Sequence, residues 1–396
     1  MPSCHKMASD YYVKSVQLKD GGRLPLLFAT NSPYPVSLVC RYVIQTLYSR
    51  ALATNSILVE VRALADLYTW AAELTPPLDL ESTLRKECLD MTWLLSFANW
   101  VKGRPKRTRS GVIQLTAEGT PSVRMGRTNN KIICSARDFL VWAAATQAKL
   151  PSESIKDCLR ATLVISKRGA RRVGFTAKQR AIILSVVHPE SPDNPFNTPV
   201  RKRNYAIVKL LLETGIRRGE LASLRVTDLY AGGAETRITV RKPASSRIDP
   251  RKMKASVKTR ERDIALRDDT KALLVDLLVE RRELAKKGIR IKHQFLIVAP
   301  STGSPLTLDG VNSIFRRISK ARPDLGWVYP HKLRHSFNDD FLTRGIAEGQ
   351  NINSQDFVEM HNHTSGWSPI SKTRSRYTIL SMEDRAAEIL RKQHGP

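Results

Sequence analysis

Much of what usually narrows a function is missing from these 396 residues. There is no run of about 18 apolar residues that could span a bilayer. Neither end carries a basic amphipathic segment with a strong apolar face, which argues against an anionic membrane surface as the partner. The opening MPSCHKMASDYY lacks the apolar core of a secretory signal, so the chain is expected to stay in the compartment where it is made. Cysteine is scarce: Cys4, Cys40, Cys88, Cys134 and Cys158 are odd in number, widely spaced and without a CxxC pair. That excludes a disulfide framework and the usual zinc-ribbon spacing, and is the pattern of a reducing, cytosolic compartment. No nucleotide-binding glycine loop, no HExxH arrangement and no obvious two-metal acidic cluster is present, so neither a cofactor nor a metal is expected. Internal repeats and low-complexity tracts are absent as well.

Acidic residues are the other shortage. Against 65 Lys and Arg stand 37 Asp and Glu, a formal charge of +28 spread along the chain rather than held in one tail. Such a chain seeks a polyanion, and nucleic acid is the first candidate, because every phosphate neutralised by Lys or Arg releases condensed counterions. The length suggests two domains.

Apolar residues recur at helical spacing over 36–51 and 55–73, the second stretch opening on Asn55 as a candidate N-cap. Further helical stretches cover 81–101 and 135–149, and the connecting VKGRPKRTRSG and VRMGRTNNK are basic and punctuated by glycine. These loops read equally as solvated surface or as phosphate contacts. A basic linker, SKRGARRVGF (166–175), separates this all-helical part from a second part of mixed α and β character. There Thr176 caps a helix, and NYAIVKLLLETG ends at Gly215, a residue suited to closing a helix. A new helix carries RRGELASLRV, after which TRITVR (236–241), KASVK (254–258) and RDIAL (262–266) read as a small antiparallel sheet. Helices resume at 268–287. The expected fold class is mainly α with one small antiparallel β-sheet.

Two segments place charge beside apolar stripes. In ETGIRRGELASL, Arg217 shares a helical stripe with Leu221 and Leu224, whereas Arg218 shares one with Ala222 and Arg225, so Arg217 is expected to point inward. An inward arginine needs an anion, either the nearby Glu220 or a bound phosphate, which the planar guanidinium can grip with two parallel hydrogen bonds. In YPHKLRHSFNDDFLTRG, Leu333, Phe337 and Phe341 form an apolar stripe, while His331 and Arg334 lie three apart on another face as an anion-binding or acid–base pair. His335 reads equally as packing.

TGIRRGEL, then HKLRHSF, then GW followed by RYT, in that order, resembles the catalytic domain of the tyrosine recombinase (phage integrase) family. The resemblance covers roughly 176–390 and implies the DNA breaking–rejoining fold, with the preceding helices in the place of that family's core-binding domain. It divides the chain into a segment 1–35 of unassigned role, a helical DNA-binding domain 36–165, the linker 166–175, and a catalytic domain 176–396. Carried over residue by residue, it implies Arg217 and Arg334 as the phosphate-gripping arginines, His331 as the first histidine of HxLRH, and Lys258 as the hairpin lysine, with Lys254 and Arg260 competing. Trp367 takes the position where some members have histidine, in preference to His361 and His363. Tyr377, ten residues after Trp367 and one more than the family's common spacing, takes the place of the nucleophile.

The resemblance further implies a 3′-phosphotyrosyl bond, resealing without ATP or metal, a Holliday junction, and a homo-tetramer on two double-stranded DNA sites, with accessory recombination proteins in some systems. A cytoplasmic, nucleoid-associated setting goes with it. The tail MEDRAAEILRKQ has Met382, Ala386, Ile389 and Leu390 at helical spacing, suited equally to docking on a neighbouring protomer and to closing its own core. Two rival readings stand beside it: a type IB topoisomerase, which uses a related active site but relaxes supercoils without pairing sites, and a non-catalytic DNA-binding protein that keeps the fold without the chemistry.

Overall fold

The computed structural model describes residues 10–19, 22–86, 90–105, 114, 116, 120, 122, 126–148, 152–163, 173–232, 235–241, 249–251, 260–369, 371, 390 and 393. The chain divides into two compact units, 1–170 and 171–396, a division that falls inside the expected basic linker.

The first unit begins with a hairpin, which falls in the segment 1–35 of unassigned role and adds a second sheet to the one expected. Strand β1 (Tyr11–Gln17) pairs antiparallel with β2 (Arg23–Ala29), Tyr12 opposite Phe28 and Lys14 opposite Leu26. LPLLF is too short for a helix and carries Pro25, but as a strand it sends Leu24, Leu26, Leu27 and Phe28 into the unit's core. The helices are α1 (Ser37–Tyr42), continued by a π-helical stretch Val43–Tyr48, then α2 (Thr54–Glu73), α3 (Leu80–Arg85), α4 (Met91–Gly103), α5 (Gly126–Ala143) and α6 (Ser152–Ala161). The single helix expected over 81–101 is two. The Asp90 carboxylate accepts the Thr92 N–H at 2.8 Å and so starts α4 afresh. Asn55 is not a cap either, since α2 begins one residue earlier, behind Ala53. Val61, Leu64, Phe97, Ile133, Phe139 and Leu140 form the centre of this core.

The second unit contains α7 (Ala177–Val187), α8 (Thr198–Thr214), α9 (Arg218–Ser223), α10 (Asp268–Lys286), α11 (Leu308–Ala321), α12 (Pro330–Ala347) and α13 (Gln355–Ser365), with a sheet of β3 (Leu229–Tyr230), β4 (Arg237–Val240) and β5 (Arg262–Ala265). Strand order is β3-β4-β5, all antiparallel, and Ile238 faces Ile264. The fold is mainly α with small antiparallel sheets, as the pattern of the sequence predicts. KASVK and the tail at 382–389 lie outside the described residues.

Thr176 makes a full capping box with Gln179: the hydroxyl accepts the Gln179 N–H at 3.2 Å and the Gln179 side chain accepts the Thr176 N–H at 3.0 Å. Just before it, the Gly174 N–H donates to Asp339 and the Phe175 N–H to Ser336, both on α12. Helix α12 lies deep in the unit, so Leu333, Arg334, His335, Ser336 and Asn338 are all buried.

At the end of α8, Gly215 adopts φ 59° and ψ 15°, and its N–H closes on the Leu211 carbonyl. This left-handed conformation suits glycine, and a Cβ there would lie 2.2 Å from the Phe337 ring. Gly215→Ala is therefore expected to cost the second unit about 2–4 kcal/mol, through strain and overpacking together. Gly103→Ala, whose added methyl meets nothing within 4 Å, should be neutral or slightly stabilising. Urea unfolding of the two variants checks this pair of outcomes.

Candidate active site

Arg334 is expected on a face apart from the apolar stripe, yet it is only 2% exposed. Its guanidinium donates through Nη1 to the Gly215 carbonyl and through Nη2 to the Ser365 carbonyl at 2.5 Å. Both acceptors sit at helix C-terminal ends, α8 and α13, where carbonyl dipoles leave partial negative charge for a buried cation. The Arg334 Cζ also lies 5.5 Å from the centroid of the Trp367 ring.

Trp367 is buried because α13 stops where it does. Gly366, at φ 63°, ends the helix, and the Trp367 N–H turns back to the Asn362 carbonyl at 2.8 Å, so the indole enters a small core with Leu342, Ile352 and Phe357. His361 forms one wall: its ring stacks on Phe341 at 4.7 Å and tilts against Trp367 at 5.2 Å. His361 Nε2 is 2.8 Å from Asn338 Oδ1, the same oxygen that accepts the Ser365 hydroxyl at 2.6 Å. Asn338 Nδ2 donates to the Arg334 carbonyl at 2.7 Å, so Oδ1 is the acceptor and His361 Nε2 carries the proton. His363 is exposed.

Arg217 departs from its expected place. Helix α9 spans only Arg218–Ser223, and Arg217 precedes it as the N-cap in extended conformation, so it shares no helical stripe with Leu221 and Leu224. It is nevertheless half-buried, its side chain 36% exposed, and the carboxylate alternative is realised. Glu220 accepts the Arg217 N–H at 2.8 Å and its Nη1 at 3.3 Å. That carboxylate, 1% exposed, is also held by the fully buried Arg262 at 2.9 Å, and Arg262 in turn donates Nε to the Thr364 carbonyl at 2.9 Å.

His331 occupies the exposed first turn of α12, its ring 4.5 Å from that of the buried His335 in an edge-on arrangement. Between the two in sequence, the Lys332 ammonium stands 3.9 Å above the Phe175 ring, and partial burial lowers its pKa from the ordinary lysine value. Arg260 is exposed at the approach to β5. Lys254, Lys258 and Tyr377 lie outside the described residues. The structure thus joins Arg217, Arg334 and Trp367 in one frame, with His331 a turn before Arg334.

Two polar elements of this frame were not singled out from the sequence. Arg262 could have been: in RDIA it falls in phase with the inward Ile264, and an arginine on a core face requires a carboxylate. Asn338 had no such signal, because nothing local shows that α12 buries residues beyond its apolar stripe. Among the described residues no group of three or more His, Cys, Asp or Glu is arranged to hold a metal, and no helix is long and apolar enough to cross a membrane.

The profile of the Phage integrase family matches residues 187–384, half of the chain and the whole of this frame. Tyrosine recombinase XerC of Bacillus pumilus is 29% identical over 193 residues, 48% of this chain and 57% of that protein. Tyrosine recombinase XerD of Oceanobacillus iheyensis is 30% identical over 156 residues, 38% of this chain and 44% of that protein. The chain thus spans about half the length of the curated relatives it matches. The integrase of transposon Tn1549, solved in complex with transposon right end DNA, superposes with a TM-score of 0.53 at 16% identity, covering 89% of this chain and 100% of that one. The XerH site-specific recombinase, in a post-cleavage complex with palindromic difH substrate, gives 0.53 at 16% identity, covering 86% of this chain and 82% of that one. These two share the fold. A mainly helical domain built around a buried arginine and a preceding arginine–glutamate turn is the class this geometry defines. The chain belongs to the phage integrase family.

Asn338→Ala removes an acceptor shared by Ser365 and His361 and a donor to Arg334, all buried. It is expected to destabilise the second unit by about 2–4 kcal/mol, measured by urea unfolding.

Proposed function

We propose that the protein is a site-specific tyrosine recombinase that cuts and rejoins double-stranded DNA through a 3′-phosphotyrosyl intermediate. The observation that carries this reading is the convergence on Arg334: through the Gly215 carbonyl it is tied two residues before Arg217, and through the Ser365 carbonyl two residues before Trp367. Sequence separations of 119 and 31 residues are thereby drawn to one guanidinium.

In this reading Arg217 and Arg334 take the scissile phosphate and offset the charge that grows on it during displacement. Arg217 keeps enough exposure to meet a large anion, while Arg334 is rigidly oriented by the helix ends it binds. Tyr377 supplies the nucleophile; a phenol with an ordinary pKa near 10 needs that electrophilic activation. Lys258 donates a proton to the leaving 5′ oxygen, His331 moves a proton or orients the phosphate from its exposed turn, and the Trp367 indole lends packing and an N–H. The phosphotyrosyl link keeps the diester's free energy, so a second 5′-hydroxyl reseals the strand without ATP. Residues 36–165 serve as a core-binding domain around the duplex, 166–175 as the linker and 176–396 as the catalytic domain. The charge of +28 supports a polyanionic partner. Exchange proceeds through a Holliday junction and needs four such tyrosines, hence a homo-tetramer on two sites, working beside the nucleoid with accessory proteins where the site demands them. The Tn1549 integrase was solved in complex with transposon right end DNA and the XerH recombinase bound to palindromic difH substrate, which supports a DNA partner here.

Rapid denaturation of cells expressing the protein should yield DNA covalently attached at the Tyr377 peptide, located by mass spectrometry. Tyr377→Phe should abolish the adduct while leaving salt-sensitive binding to bulk DNA unchanged. Arg217→Ala should reduce adduct yield by about 10²–10³-fold, the usual scale for removing one donor to a developing charge. An adduct on a different residue would overturn the assignment, and relaxation of supercoiled plasmid regardless of sequence would favour a topoisomerase instead.

A further inference from the structure

Strand β5 opens on an arginine in a core position. Its four residues alternate buried and exposed, which places Arg262 on the inward face with Ile264. The guanidinium has no solvent exposure and delivers Nη2 to Glu220 Oε2 at 2.9 Å, Nη1 to Oε1 at 3.5 Å and Nε to the Thr364 carbonyl at 2.9 Å. Glu220 receives Arg217 on the same two oxygens, at 2.8 Å from the backbone N–H and 3.3 Å from Nη1. One buried carboxylate is therefore shared between a buried cation and a half-exposed one.

The sharing is unequal. Of the two guanidinium contacts to Glu220, that of Arg262 is the shorter, 2.9 Å against 3.3 Å, and is shielded from water, so it is the stronger ion pair. Arg262 also reaches α13 one residue before Ser365, which accepts from Arg334. A single side chain thus bears on Arg217 through Glu220 and on the Trp367 turn through the end of α13.

We propose that Arg262 is a positioning residue: it balances Glu220 so that Arg217 keeps its charge for an incoming oxyanion, and it fastens β5 to the C-terminal end of α13. The proposal deepens, and rests on, the assignment of Arg217 to the phosphate. Without Arg262, Glu220 turns wholly to Arg217 and draws it into a closed ion pair. A closed pair competes with phosphate for the same N–H groups.

The test is a titration of the full-length protein, ¹⁵N-labelled at arginine, with inorganic phosphate. The Arg217 Nε–H resonance is identified by its loss in Arg217→Lys. In the wild type this resonance shifts saturably. Arg262→Met should weaken its response about ten-fold or more, as expected when a buried pair loses one partner. Adding Glu220→Gln to Arg262→Met removes the charge that captures Arg217 and should restore the response, whereas a role in packing alone predicts no restoration at matched thermal stability. If the Met variant does not fold, Arg262→Lys decides: it keeps a charge beside Glu220 but loses the forked grip and the Thr364 bond, so a response weakened by about two- to ten-fold is expected, and adding Glu220→Gln should recover it; no recovery overturns the proposal. An unweakened Arg262→Met, a double variant that stays weak, or a wild-type Arg217 that ignores phosphate overturns it too. Absence of the Tyr377 adduct in cells strikes the recombinase reading instead, so the two fail separately.

Discussion

A buried guanidinium bonded to two helix ends organises the second unit. Taking a cation out of water costs several kcal/mol even after relaxation, so Arg334 is tolerable there only because acceptors are waiting. The Gly215 and Ser365 carbonyls provide them, and each exists as an open acceptor because its helix stops at that point. Remove either stop and the carbonyl would be spent inside a longer helix. The left-handed glycines, Gly215 and Gly366, are thus as much a part of the site as the charge they flank. They end α8 and α13, and the residues just beyond, Arg217 and Trp367, are aimed by those same turns.

Around this anchor the polar groups of the unit are spent in pairs. Asn338 serves Arg334, Ser365 and His361 at once, and Glu220 serves Arg217 and Arg262. Networks of this kind hold geometry firmly because each leftover donor would carry its full desolvation cost. Exposure varies across the network: Arg217 is half-exposed and His331 exposed, while Arg334, Arg262, Glu220 and Asn338 stay inside. In the proposed function, that division between a rigid interior and an accessible rim would hold a phosphate in place before any bond breaks.

Legibility differed from segment to segment for physical reasons. The long helix α2 announced itself by its apolar period, and β4 by a short β-branched run. The hairpin at 11–29 did not, because LPLLF is buried on both faces and so lacks the alternation that marks a half-buried strand. Arg217 was read as helical from residues that do lie near it, but α9 starts one position later, and an N-cap residue follows no helical stripe. Arg334 was placed on a separate face by arithmetic that holds along one helix. What that arithmetic omits is the number of neighbours, and α12 is buried on more than one face.

The amino-acid order by itself determined the family, through three motifs in sequence, together with the basic charge and the helix-ending Gly215, since these depend on residue type and short spacing alone. Tertiary structure alone decided which arginine is buried, that Glu220 is shared between Arg217 and Arg262, and that His361, held by Asn338, packs against Trp367. Those facts depend on contacts between residues tens to more than a hundred positions apart. Local periodicity carries no record of which distant carbonyl or carboxylate a side chain will meet when the chain folds.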